Sequence, residues 1–236
     1  MMYLSALQTQ LKEKTKPEHA NNAVFFKTKP GSYAAHDQFM NVAVPDLRKL
    51  AKQYRSLTRC ELQQLLESPF NEERLIALFI LVDQYQRADA AVKNELYQFY
   101  LHNIKQVNNW NLVDSSAHLI MGAHLLHADK SILIDMAHSN VLWDRRIAIV
   151  ATWYFIRANE LEWTTKIAQI LLADKQDLIH KAVGWMLREA GKKDQEVLIA
   201  FLNQYAHLMP RTMLRYAIEK LSPSERAIYL AQKNAV

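Results

Sequence analysis

Apolar residues recur every three or four positions along most of the chain, the period of helices that bury one face. In NNWNLVDSSAHLI, for example, Trp110, Val113, Ala117 and Ile120 keep this spacing. Long runs of Val, Ile and Thr, the mark of strands, are scarce. Stop and start signals cut the pattern into pieces. Pro45 suits a first helical position. Thr58 and Glu61 match a capping box, as do Ser222 and Glu225 before the last helix. Asn71 is expected to cap the long apolar helix in SPFNEERLIALFILVDQY. The N-terminal stretch MMYLSALQTQLKEKTKPEH predicts an amphipathic helix, without the apolar core of a signal peptide.

Several helices begin alike, with a polar or basic residue before a small-plus-apolar run. Arg74, Trp110, Arg146, Lys181 and Arg215 follow one another at 36, 36, 35 and 34 residues. That spacing, with a second helix between each pair, marks stacked helix pairs. The predicted fold is all-α: a HEAT-like helical-repeat solenoid, a curved superhelix of antiparallel helix pairs, forming a single domain over 1–236. Composition agrees with this. The 236 residues are 50% hydrophobic and include only four glycines and six prolines.

Equivalent helices of a solenoid line one face, so residues at their starts form a ladder. Arg74, Arg145, Arg146, Lys181, Arg188, Arg211 and Arg215 lie on it. A formal net charge of +5 is compatible with nucleic acid. Periodic cations suit a polyanion, because each phosphate contact adds affinity. Taken singly, each is as well read as a solvated helix end. The one cysteine, Cys60, excludes an internal disulfide and reads as structural; it fits a reducing, cytoplasmic setting. No apolar run is long enough for a membrane span. His118, His124 and His127 lack a completing ligand set, so no metal site is expected. Phosphate-loop and nucleophile-elbow motifs are missing, and no cofactor is expected.

Trp110 and Asp114 are four apart, on one helix face. On a common groove they would join Arg146 and Trp185 from the next two repeats. Indole faces attract cations, and a carboxylate among indoles acts strongly on nearby positive charge. Such a site suits a cationic group carried on a polyanion. The plainer readings are that the tryptophans are core and that Asp114 caps a helix or pairs with Arg145 or Arg146.

NNWNLVDSSA, LWDRRIAIVATWYF, HKAVGWMLREAGKKD, PRTMLRYAIEKL and, more weakly, FFKTKPGSYAAHDQFMNVAVPDLRKLAK resemble the AlkD-like family of bacterial DNA alkylation repair proteins. The resemblance runs from about residue 20 to about residue 221. It implies a HEAT-like superhelix cradling duplex DNA. The implied activity is a monofunctional glycosylase that releases cationic N3- and N7-alkylated purines, without a deep base pocket. It implies that Asp114 stabilises the cationic sugar and positions water. Trp110 and Trp185 would pack against the lesion's deoxyribose and phosphate, and Arg146 would hold a phosphate. Asn111 departs from the family's pattern, in which an acidic residue stands between the tryptophan and the leucine. The expected partner is duplex DNA containing alkylated purines, with no membrane and no obligate protein partner, and the protein is expected to be a monomer. The rival reading is a non-catalytic scaffold binding nucleic acid or protein.

Overall fold

The computed structural model describes residues 2–16 and 26–231; the end of the expected N-terminal helix and the first residue of the FFKTKPGSY stretch lie outside them. Among the described residues the chain is all-α, with one isolated β-bridge between Gln38 and Phe70. Contacts divide it into two compact units, Met1–Ser116 and Ala117–Val236.

The first unit contains α1 (Met2–Glu13), α2 (Val44–Gln53), α3 (Arg59–Leu66), α4 (Asn71–Arg87) and α5 (Ala90–His102). It also holds most of α6 (Trp110–Ala117). Leu4, Leu7 and Leu11, at intervals of three and four, form the buried face of α1. Pro45 lies in the first turn of α2 and the Thr58–Glu61 capping box opens α3, as the sequence predicts. Cys60 sits in α3 but is exposed, so it does not pack the core. Helix α4 is apolar on every side from Leu75 to Val82, and every residue of that stretch is buried. A helix of that kind must be covered all round. Here α2, α3 and α5 all pack on α4.

The second unit starts with a π-turn (His118–Gly122) and a last helical turn (Ala123–Leu125). Then come α7 (Ser131–Ala137), α8 (Leu142–Arg157), α9 (Glu162–Ile170), α10 (Asp177–Lys193), α11 (Gln195–Tyr205), α12 (Arg211–Ala217) and α13 (Pro223–Ala231). One row of contacts runs from the π-turn through α8 and α10 to α12. Helices α7, α9 and α11 pack beside that row, α7 against α9. Alternate helices therefore stack on one another, which is the helical-repeat arrangement.

Two glycines set the spacing in this row. A Cβ on Gly122 would lie 2.2 Å from the Ala151 carbonyl oxygen and 2.8 Å from Tyr154 Cβ. A Cβ on Gly184 would lie 2.4 Å from the Met213 carbonyl oxygen and 2.5 Å from Tyr216 Cβ. In both cases the partners are 29 and 32 residues further along the chain. The repeat is thus written into close backbone approach as well as into the helix starts.

Candidate active site

In the first unit the start of α6 is fastened by a buried network. Asn109, fully buried, accepts the Trp110 amide on Oδ1 at 2.7 Å. Its Nδ2 donates to Asp37 Oδ2 at 2.6 Å. Asp37 also accepts from Asn71 Nδ2 at 3.0 Å and pairs with Arg74. Arg74 is 2% exposed and donates through Nη1 to the Ser68 carbonyl at 2.7 Å. This corrects the expectation that Arg74 lies on an open cationic ladder. A buried guanidinium needs a carboxylate partner, and Asp37 supplies it. It also corrects the capping role of Asn71. Phe70 occupies the cap position of α4, with no side-chain cap bond, and the Asn71 amide is spent on Asp37.

Trp110 and Asp114 are partly exposed, whereas Leu112, Val113, Ala117 and Ile120 are fully buried. Of the apolar spacing, Val113, Ala117 and Ile120 thus pack the core, while Trp110 and Asp114 lie at the edge of that face, partly in solvent. Phe26 stacks on Trp110, with ring centroids 5.3 Å apart and planes 13° apart. Phe39 stacks on Phe26 at 4.5 Å. Beside this column lies a cavity of about 380 Å³ lined by Phe26, Phe39, Asn71, Glu72, Leu75 and Asn111. Asn111 donates to Asn71 Oδ1 at 2.7 Å. Glu72 accepts the amides of Met40 at 3.0 Å and Asn41 at 2.8 Å. Burial nevertheless pushes the Glu72 carboxyl above the usual range, outweighing those donors.

In the second unit, Arg146 is 5% exposed and donates through Nη1 to the Leu178 carbonyl at 2.6 Å, which fixes the plane of its guanidinium. Arg145 binds Asp174 at 2.6 Å and the Ser139 carbonyl at 2.8 Å. Arg145 thus ties elements together while staying partly exposed; it is Arg146 that, like Arg74, is buried and does not lie on an open cationic ladder. Arg188 pairs with Glu219 and lies 3.6 Å from Glu189. Arg211 donates to the Leu230 carbonyl at 3.1 Å. Lys181 pairs with Asp177 at 2.7 Å across a half-exposed surface, and Arg215 is exposed. Of the cations placed on the ladder, Lys181 and Arg215 therefore present most charge to solvent.

Trp185, on α10 one turn after Lys181, is partly exposed. It meets Trp153 edge-to-face, with centroids 4.9 Å apart at 63°. Sequence reasoning missed Trp153, although it falls within LWDRRIAIVATWYF, seven residues after Arg146 and so on the same stripe of α8. It missed Asp37 for a different reason. Nothing local marks one aspartate as the partner of residues 34 to 72 positions away. Burial lowers the pKa of His124. Among the described residues no three His, Cys, Asp or Glu side chains gather as a metal site. No helix among them is long and apolar enough to cross a membrane.

The sequence profile of a family described as DNA alkylation repair enzyme matches residues 7–221. A solved structure described as a predicted DNA alkylation repair enzyme from Enterococcus faecalis is similar in fold, with a TM-score of 0.66 and 16% identity. The match covers 86% of this chain and 94% of that one. No curated protein matches the chain.

Proposed function

Because the chain belongs to the DNA alkylation repair enzyme family, we propose that it is a DNA glycosylase acting on cationic N3- and N7-alkylated purines in duplex DNA. The observation that carries this reading is Asp114, a partly exposed carboxylate one turn after a partly exposed indole, on a helix whose apolar positions are buried elsewhere.

An alkylated purine carries positive charge on the base. Breaking the C1′–N bond returns the electron pair to the base, which leaves neutral. The sugar takes on oxocarbenium character. Asp114 stabilises that developing cation by its fixed negative charge, a contribution largest where water is partly excluded. It also accepts a hydrogen bond from the attacking water. Addition of that water at C1′ with loss of one proton yields an abasic site. Trp110, braced by Phe26, presents an indole to the deoxyribose and phosphate. Trp185, on α10, presents an indole to the DNA backbone. Arg146, 5% exposed and bonded to the Leu178 carbonyl, directs positive charge toward a backbone phosphate from beneath the surface. Lys181 and Arg215 add electrostatic affinity for the duplex. The reaction requires neither metal nor cofactor.

The test is base release from duplex DNA treated with a methylating agent. The expected result is free 7-methylguanine or 3-methyladenine with native protein and their loss with Asp114→Asn. DNA binding without release of any modified base would overturn the enzyme assignment and leave a binding scaffold.

A further inference from the structure

Trp153 sits at the centre of an aromatic array confined to the second unit. On one side it meets Trp185 edge-to-face at 4.9 Å. On another the His118 ring lies 4.5 Å from it, tilted by 42°. The Arg157 guanidinium lies 5.2 Å from its ring centroid, the distance of a cation over an indole face. Three elements therefore converge on one indole: the π-turn through His118, α10 through Trp185, and the last turn of α8 through Arg157.

Filling the core is only part of what a tryptophan does at this position. Its neighbours Ile149, Val150, Ala151, Thr152, Phe155 and Ile156 are buried at 0–1% exposure. Trp153 itself is partly exposed. Part of that ring is left in water, so burial alone does not account for its contacts. What it also supplies is ring geometry. An edge-to-face pair depends on the positive rim of one ring meeting the negative face of another. A side chain of similar bulk without a ring cannot reproduce that contact.

The rest of the array restricts Trp153. The close approach of Gly122 to the Ala151 carbonyl, at 2.2 Å for a would-be Cβ, presses the π-turn onto α8 two residues before Trp153. The His118 ring is carried on that turn. π-Turns recur at functional sites because the extra residue redirects side chains. Here the turn brings His118 onto the indole.

We propose that Trp153 is a positioning residue. Held by His118 and Arg157, it fixes the indole of Trp185 in one orientation through their edge-to-face contact. The proposal rests on the reading of Trp185 as a ring presented to DNA, and it adds a residue to which that reading gives no part. A tryptophan presented to solvent samples several rotamers; one braced on a second ring does not. Orientation matters because small misplacements at a reacting centre are costly in rate.

The test combines Trp153→Leu, Trp153→Phe and His118→Ala in protein labelled with 5-fluorotryptophan. The chain has five tryptophans, and the Trp185 fluorine signal is identified by its loss in Trp185→Phe. The expected result is one narrow Trp185 line in native protein that broadens or divides in Trp153→Leu and in His118→Ala, and is single again in Trp153→Phe. In the base-release assay, Trp153→Leu should lower kcat about tenfold with KM within about twofold, and Trp153→Phe should restore the rate. A narrow, single Trp185 line in Trp153→Leu would overturn the proposal, as would a loss that falls on KM alone. Should Trp153→Leu not fold, Trp153→Met is read in the same way. If native protein releases no base, the glycosylase reading fails, while the fluorine spectra still decide whether Trp153 holds Trp185.

Discussion

Asn109 bonds Asp37 through Nδ2 at 2.6 Å while its Oδ1 takes the amide of Trp110 at 2.7 Å. One buried side chain thus joins a carboxylate 72 residues away to the first residue of the helix that carries Asp114. Asp37→Ala would leave Arg74 as a buried charge without its carboxylate. Loss of one member of a buried pair costs about 3–5 kcal/mol. Urea denaturation should show a loss of this size. Asn109→Ala should cost about 1–3 kcal/mol and leave the Arg74–Asp37 pair in place. A change below about 0.5 kcal/mol in Asp37→Ala would contradict the network.

The ladder cations divide into two groups by experiment. Lys181→Ala and Arg215→Ala should each reduce the slope of log affinity for DNA against log salt by about one, with little effect on melting temperature. Arg74→Ala and Arg145→Ala should show the reverse, lower stability and little specific change in the slope. Binding isotherms at several salt concentrations, alongside thermal melts, separate the two.

Asp114→Asn keeps the shape of the side chain and removes its charge. It should lower kcat for base release by about 10²–10³, the scale of losing one electrostatic stabiliser of the transition state. Affinity for undamaged duplex should stay within about twofold. Equal losses in binding and rate would show that Asp114 acts in binding.

Glu72 makes stability depend on pH in an unusual direction for a carboxylate. Burial raises its pKa in the folded state above the ordinary 4.5. Its protonated form is therefore favoured by folding. This contribution is fully present below pH 4.5 and is lost as pH rises through the elevated folded value. Glu72→Gln should remove that slope, while carrying a constant loss because its NH2 replaces one of the two oxygens that separately accept the Met40 and Asn41 amides. Unfolding free energies from pH 4 to 7 for both proteins provide the check, and parallel curves would refute the assignment to Glu72.

Gly122→Ala and Gly184→Ala each force a methyl group against a backbone carbonyl of the next helix in the row. Backbone cannot swing aside as a side-chain tip can, so each should cost about 1–3 kcal/mol. Chemical denaturation of the two single variants tests this, and a stable Gly184→Ala would show that α10 and α12 can separate without penalty.

Much of this was legible in the chain because helices announce themselves locally. The Thr58–Glu61 and Ser222–Glu225 boxes lie within a few residues, and both form as expected. The positions that pack α6 follow from spacing alone. What could not be read locally is which polar group finds which. Arg74 and Lys181 occupy equivalent places in the repeat, yet one is sealed on Asp37 and the other is half-exposed beside Asp177. The difference is made by a residue outside the repeat pattern. Trp153 was within reach, being two turns from Arg146, but its contact with Trp185 depends on how α8 and α10 pack.

The glycines at 122 and 184 also govern how chain length can vary. Each must stay opposite a carbonyl 29 residues further on. Residues added to the loop at 126–130 or at 206–210 can bulge outward and leave that alignment untouched. A single residue added inside α8, before Ala151, would slide the carbonyl away and bring a side chain over the gap. Length changes in this half of the chain are thus confined to its loops, and an insertion scan would draw the boundaries of the stacked helices without reference to any activity.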